Sequence, residues 1–412
     1  MRAERNMKVC MISGSFPNMK CGVGDYTAVL SRELAKNGIC IDVITSSNSE
    51  IKAKAEEGTD GLAIVLHPIM KNWGLENALS ILKQIRESKP DVIHVQYQRG
   101  IYRSREFIYL FPILAKVLFP GIPIFVTFHD LQSPYFLQRI LKSAGEYTLL
   151  PWLILADGVV VSNHSDLKRI TQMVPWVKNK IRRIPVGINI GPSPDRQRRK
   201  TIIRARLNMV DGEILISTFC NVVHMDYVML FKAIYSLINN GYSLRLVIVG
   251  GIPPSSRKND HLDRDYRGKV DGLAKKLGIS QFLSYTGYLS ASEVSAYLSA
   301  SDLSVQLYWM GISNRHATFP AILAHGLPAI TTLGDEKPEG LVDHHNVIFV
   351  PCGDAKTLTV ALGELIDSPA LRLKIGQKAL TLFQERYNWK EIAEGTKELY
   401  NDSFYRHKKK KG

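Results

Sequence analysis

The sequence predicts an α/β protein of two doubly wound, Rossmann-like domains facing across a cleft. Three observations carry this expectation. The chain has 412 residues, more than one ordinary hydrophobic core organises. Short β-rich runs without polar alternation recur between helix-length segments, as in strands buried on both faces of a parallel sheet. The pattern then halts at a polar, basic stretch and starts again.

In the first half the strand candidates are Lys8–Ser13, Ile41–Ser46, Leu62–Pro68, Asp91–Gln96, Pro123–His129 and Gly158–Asn163. Between the first two lies a helix candidate, Asp25–Asn37, whose Tyr26, Val29, Leu30 and Leu34 form one apolar stripe ending before Gly38. The segment from Gly191 to Lys200 carries two prolines and a run of arginines, and reads as the interdomain linker. Beyond it, strands are expected at Glu213–Phe219, Leu244–Gly250, Phe282–Tyr288, Asp302–Tyr308, Leu327–Thr332 and Asn346–Pro351, with a helix at Ser292–Ser299. Ligand crevices in such sheets lie beyond the carboxyl ends of the strands, so functional residues are sought in post-strand loops.

Composition narrows the class. With 45% hydrophobic and 22% charged residues, the chain has enough apolar mass for two cores. Cys10, Cys21, Cys40, Cys220 and Cys352 are scattered and lack metal-ligand spacing, as free thiols of a reducing cytoplasm would be. The first residues lack the apolar core and small-residue cleavage site of a secretory signal. The most apolar stretch, Phe107 to Phe128, is interrupted by Pro112, Lys116, Pro120 and Pro123, which argues against a spanning helix. A net charge of +15 and the Arg406–Lys411 cluster, read as a flexible tail, favour an anionic partner. No nucleic-acid motif accompanies the charge, so nucleic acid is not expected, and the basic tail with the apolar segments reads either as docking on an anionic membrane surface or as a merely solvated tail beside two core helices. The expected location is cytoplasmic, with peripheral attachment to the inner face of the membrane.

Several post-strand positions carry chemistry. Gly22 and Gly24 permit close backbone approach to a diphosphate or sugar at the start of a helix, or simply a tight turn. A dinucleotide fingerprint fits poorly, because Gly22 comes several residues after the strand and Asp42 opens its strand. His129 and Asp130 close an apolar strand and point an imidazole and a carboxylate into the expected cleft. His94 and Gln96 share side-chain parity, which suits either acceptor contact or a structural hydrogen-bond network. Asn163 is read as a helix cap, with site lining as the alternative. Ser313, Asn314, Arg315, Ala317 and Thr318 precede the apolar helix Phe319–His325 and are a candidate pyrophosphate seat. Asp260, Asp263 and Asp265 are interleaved with Arg and Lys in what reads as a solvated polar loop, and no metal is expected.

These motifs follow one another in a recognisable order. Met11-Ile12-Ser13-Gly14-Ser15-Phe16-Pro17, Cys21-Gly22-Val23-Gly24-Asp25-Tyr26, Tyr285-Thr286-Gly287-Tyr288-Leu289, Ala300-Ser301-Asp302-Leu303 and His325-Gly326-Leu327-Pro328-Ala329-Ile330-Thr331-Thr332 resemble the family 4 retaining glycosyltransferases of GT-B fold. The likeness covers nearly the whole chain. Tyr387-Asn388-Trp389-Lys390 with Ile392-Ala393 resembles the turn into a last helix that crosses back to the first domain. The implied domains are residues 1–190 on the acceptor side, 191–390 on the nucleotide-sugar side, and 391–412 as the returning helix with its basic tail.

The resemblance implies retaining transfer from a nucleoside-diphosphate sugar to a glycan, lipid-linked or not, or to a small acceptor, in envelope or exopolysaccharide synthesis, without a metal cofactor. His129 matches a sugar-contacting histidine, and His129 and Arg315 are the expected catalytic pair. Gly287, Tyr288 and Leu289 match where the family holds the nucleotide base, although Tyr288 equally suits ordinary packing. The chain departs from the pattern at two places. Ser313 and Ala321 stand where the family has paired glutamates, and no Lys or Arg lies between Arg206 and Lys232, where it places a diphosphate-binding pair. The phosphate charge then falls to Arg315, backbone amides, His224 or basic groups from the other lobe. Those departures keep open the alternative of a catalytically silent GT-B partner subunit that binds a nucleotide or glycan.

Overall fold

The computed structural model describes residues 6–17, 19, 21–47, 55–57, 63–103, 107–131, 148–188, 190–219, 225–250, 260–313, 316, 318–335 and 338–409. The chain divides into two compact units, residues 1–187 with 389–412, and residues 188–388.

The first unit contains β1 Lys8–Ser13, α1 Gly22–Lys36, β2 Cys40–Ser46, β3 Ala55–Glu57, β4 Ala63–Met70, α2 Ala78–Ser88, β5 Val92–Tyr97, α3 Phe107–Leu118, β6 Ile124–Phe128, α4 Leu150–Leu155, β7 Gly158–Val161, α5 His164–Met173 and β8 Ile181–Arg183. Its sheet runs β3-β4-β2-β1-β5-β6-β7-β8, parallel except for β3. The order reverses between β1 and β5, which makes their carboxyl ends the topological switch point. Period-two alternation sorts the side chains. Cys10, Ile12, Ile93 and Val95 join the core under α2 to α5, whereas Val9, Met11, Val92 and Phe125 join the core shared with α1 and the last helix.

Two expectations in this unit need correction. Pro112 does not interrupt the apolar segment, since α3 runs through it to Leu118. Proline frees the carbonyl four residues earlier, and Trp152 Nε1 donates to that Ile108 carbonyl at 3.0 Å. The first helix also begins at Gly22 rather than Asp25, with Cys21 at its cap making no side-chain bond.

The second unit contains α6 Arg196–Arg206, β9 Ile214–Phe219, α7 Tyr227–Asn239, β10 Leu244–Val249, α8 Asp260–Lys276, β11 Leu283–Tyr285, α9 Ala291–Ala300, β12 Leu303–Gln306, α10 Phe319–Ala324, β13 Ala329–Leu333, β14 Ile348–Pro351, α11 Ala355–Asp367 and α12 Pro369–Arg386. The sheet order is β11-β10-β9-β12-β13-β14, and every pairing in it is parallel. Here the switch point lies between β9 and β12.

The second half of the supposed linker, from Arg196, belongs to α6. Two of its arginines make structural contacts: Arg204 donates to the Ala300 and Glu213 carbonyls and to Asp302, and Arg199 to the Ser292 carbonyl. The supposed polar loop at Asp260 is likewise the start of α8. After Asn388 the chain returns to the first unit as α13 Trp389–Lys409, so the tail expected to be flexible from Arg406 is helical as far as Lys409. Ile392, Ala393, Leu399 and Tyr400 of this helix are buried in the core around α1.

Candidate functional site

In the first unit the strand ends gather a connected set of polar side chains. His129 follows β6, and its backbone nitrogen donates to the Tyr97 carbonyl at 2.8 Å, which extends the β5–β6 ladder past the strand. Its Nε2 lies 3.0 Å from Gln96 Oε1. His94 and Gln96 point, as their shared parity requires, to the side of the sheet that packs on α1 and α13. His94 Nε2 lies 2.8 Å from Thr127 Oγ1 and 3.4 Å from Gln96 Nε2, and its Nδ1 lies 2.5 Å from Tyr400 OH. Gln96 Nε2 also donates to Met11 Sδ at 3.1 Å.

Aromatic rings frame this set. Tyr26 of α1 meets the His129 ring edge-on at 4.8 Å and stands 5.2 Å from Trp389. Trp389 in turn lies against Gly187, where a Cβ would come within 2.6 Å of the indole. Burial disfavours charge on both imidazoles. It drives His94 down to about 3, with the neighbouring His129 adding to the effect. His129 is half-buried, and desolvation pushes it down too. Both rings are therefore neutral at physiological pH, and His129 offers one donor and one acceptor nitrogen.

Asp130 lies beside this set and accepts from the Arg99 backbone nitrogen at 3.4 Å. Gly22 and Gly24 differ. A Cβ on Gly24 would meet Ser15 Oγ at 2.8 Å and Phe16 N at 3.0 Å, so this glycine lets α1 pack against the loop after β1. Gly22 faces open space in the first turn. Asn163 caps α5, with Oδ1 accepting from Asp166 N and Nδ2 donating to Asp166 Oδ2, both at 2.7 Å. Its side chain is engaged in that cap.

In the second unit the loop after β12 is closed by backbone contacts. Gly311 has φ +82°, and a Cβ there would lie 2.0 Å from Gly334 N. Thr332 Oγ1 receives Tyr308 N and donates to the Tyr308 carbonyl, each at 2.8 Å. The His316 ring stacks on Tyr308 at 3.6 Å, and its Nδ1 accepts from Ser313 N at 2.9 Å. Thr318 precedes α10, with Oγ1 3.5 Å from Tyr308 OH. Helix α10 is six residues long, shorter than the expected Phe319–His325, and Ala321 within it is buried. Asn314, Arg315, Ala317 and His224 lie outside the described residues.

Gly287 follows β11 with φ +67° and bridges Gly250, while a Cβ on it would meet nothing within 4 Å. Tyr288 is half exposed, and Leu289 packs on the core of this unit. Two strands, β10 and β9, separate this turn from the loop after β12. Among the described residues no three His, Cys, Asp or Glu side chains are grouped as a metal ion would need.

The structure brings the sequence-selected His129, Gln96 and His94 together and sets beside them Tyr26, Thr127, Trp389 and Tyr400, which the sequence reading did not single out as site residues, any more than His316 in the second unit. Thr127 shares the parity of His129, which was a usable signal. Tyr400 is 306 residues from His94, and no local pattern points to it.

Comparison with known proteins agrees with this architecture. The model of Glycosyltransferase Family 4 matches residues 21–191, and that of Glycosyl transferases group 1 matches residues 200–382. Among curated proteins, sequence comparison finds no match. Of solved structures, sucrose-phosphate synthase from Thermosynechococcus elongatus is 18% identical with a TM-score of 0.67, covering 97% of this chain and 100% of its own. A glycosyltransferase from Rickettsia africae is 14% identical with a TM-score of 0.69, over 97% and 99% of the two chains. Anabaena HepE, solved with UDP and glucose, is 13% identical with a TM-score of 0.68, over 96% and 100%. With both halves matched in order and the two doubly wound sheets in place, the chain belongs to the family 4 type of glycosyltransferases with GT-B fold.

Proposed function

We propose that this glycosyltransferase moves a sugar, with retention of anomeric configuration, from a nucleoside-diphosphate sugar to a glycan or lipid-linked acceptor in envelope polysaccharide synthesis. The reading rests on His129, a neutral imidazole held at the mouth of β6 by Gln96, whose remaining nitrogen can accept a hydrogen bond from a sugar hydroxyl. The HepE structures with UDP and with UDP-glucose support a nucleotide-sugar donor.

In this reaction the bond from the anomeric carbon to the diphosphate oxygen breaks. The acceptor oxygen bonds the same face, and its proton passes to the departing phosphate. No protein nucleophile or metal is required. The protein's part is electrostatic: Arg315 and backbone amides stabilise the leaving diphosphate, and His129 orients the sugar. Ser313, Thr318 and the Gly287 turn are the proposed nucleotide contacts, and His94, Gln96 and Asp130 support the acceptor side.

The apolar helices of the first unit support work at a lipid surface. Leu110, Ile113, Val117 and Leu118 are exposed along one stripe of α3, as is Ile154 on α4. Lys180 Nζ is hydrogen-bonded to the Ile154 and Ala156 carbonyls beside it. No helix among the described residues is long and apolar enough to cross a membrane, so contact through an apolar face with basic neighbours is the proposed mode.

A thermal-shift panel of nucleoside diphosphates and their sugar conjugates tests the donor. A ligand that binds only the folded protein raises its melting temperature. Selective stabilisation by one nucleotide, lost in Arg315→Ala, is the expected result. No shift with any of them would overturn the assignment.

A further inference from the structure

Helix α13 meets the His129 network at one atom, the Tyr400 hydroxyl. Tyr400 and His94 are both fully buried, so each of their polar atoms must find its partner inside the protein. The hydrogens along the network can be assigned from one acceptor that has no alternative role. Met11 Sδ can only accept, which turns the Gln96 NH₂ toward Met11 and His94 Nε2. His94 Nε2 therefore bears a lone pair, also filled by the Thr127 hydroxyl, and the His94 hydrogen sits on Nδ1 and is donated to Tyr400. At the other end Gln96 Oε1 accepts from His129 Nε2, which leaves the His129 lone pair on Nδ1.

We propose that Tyr400 is a positioning residue for His129: by accepting the His94 hydrogen it locks the His94–Gln96 relay, so that His129 presents an unprotonated Nδ1. Its consequence for transfer rests on the role of His129 proposed above, but the relay itself does not. Without the Tyr400 hydroxyl, His94 Nδ1–H is buried without an acceptor. The ring then gains by moving its hydrogen to Nε2 and donating to Thr127. That opposes the Gln96 NH₂, the amide turns over, and His129 must take its hydrogen on Nδ1. The last helix of the chain would thus select which nitrogen of His129 is available to a sugar hydroxyl.

Nitrogen NMR of protein labelled at its histidines tests this without any substrate. The chain has 11 histidines, and the His129 signals are assigned by their loss in His129→Gln. Wild-type protein at about pH 7 is expected to show His129 as a single Nε2–H tautomer. Tyr400→Phe, which removes only the hydroxyl, shifts it toward the Nδ1–H form. Met11→Leu preserves core volume and removes the acceptor that sets the direction, so it shifts His129 the same way and serves if Tyr400→Phe does not fold. An Nδ1–H or doubly protonated His129 in the wild type overturns the proposal, as does an unchanged tautomer in the folded variants. A failed nucleotide panel with the tautomer shift intact would instead remove the transfer reading and leave the relay standing.

Discussion

The two units solve the same problem, fixing a post-strand loop at or next to the switch point of a parallel sheet, by different means. In the first unit the fixing is done by side chains: His129 is held by Gln96, by the Tyr26 ring and, at one remove, by His94. In the second unit it is done largely by main chain, with Gly311 pressed against Gly334 and the Tyr308 peptide clasped by Thr332. A side-chain network can be tuned by protonation, whereas a backbone contact tolerates nothing larger than hydrogen. The two loops are therefore sensitive to different perturbations.

The largest contrast is expected from glycine substitutions. Gly311→Val forces a β-branched residue to φ +82° and drives its Cβ into the Gly334 backbone. It should destabilise the second unit by about 3 kcal/mol or more. Gly22→Ala, with open space around it, should change stability by less than about 1 kcal/mol. Urea unfolding of the two variants compares them directly, and equal losses would remove the distinction.

Protonation probes the first unit. His94 has its folded pKa lowered to about 3, so the unfolded chain binds the proton first as pH falls. Its stabilising contribution is complete above the unfolded value of about 6.5 and is lost progressively toward the folded value. The loss by about pH 4.5 is on the order of 3 kcal/mol. Replacing His94 by Gln should flatten this acid limb, whatever it does to stability at neutral pH. Parallel limbs for the wild type and the variant would contradict the buried, neutral imidazole.

The smallest effect concerns the exposed stripe of α3. Val117→Asp is expected to weaken binding to vesicles containing phosphatidylglycerol by about tenfold. It should leave nucleotide stabilisation unchanged, because the residue lies on the solvent face of its helix. Undiminished vesicle binding would assign lipid contact elsewhere.

Much of this architecture was legible because burial on both faces leaves a strong mark: β5 reads Val-Ile-His-Val-Gln-Tyr, and every residue in it is buried. The same period of two put His94 and Gln96 on one side, and a histidine after an apolar strand drew attention to position 129. What escaped detection did so for physical reasons. Helices α6 and α8 are so rich in charge that they resemble linker and loop: α6 is held largely by arginine-to-carbonyl hydrogen bonds, and α8 buries its apolar Val270 and Ala274 in its second half. Pro112 looked like a breaker because the donor that relieves its effect, Trp152, comes from another helix. Tyr400 was invisible because the atom that needs it lies at the other end of the chain.

The return of α13 also sets an order of assembly. As the chain leaves the ribosome, residues 188–388 hold all of their own core and can fold as soon as they emerge, since domains fold as units during synthesis. The first 187 residues are made earlier but finish later. Until Trp389–Lys409 appears, one side of their sheet is covered by α1 alone, and the imidazole of His94 has only Thr127 and Gln96 as hydrogen-bond partners. The half of the protein that is translated first is thus the half that is completed last.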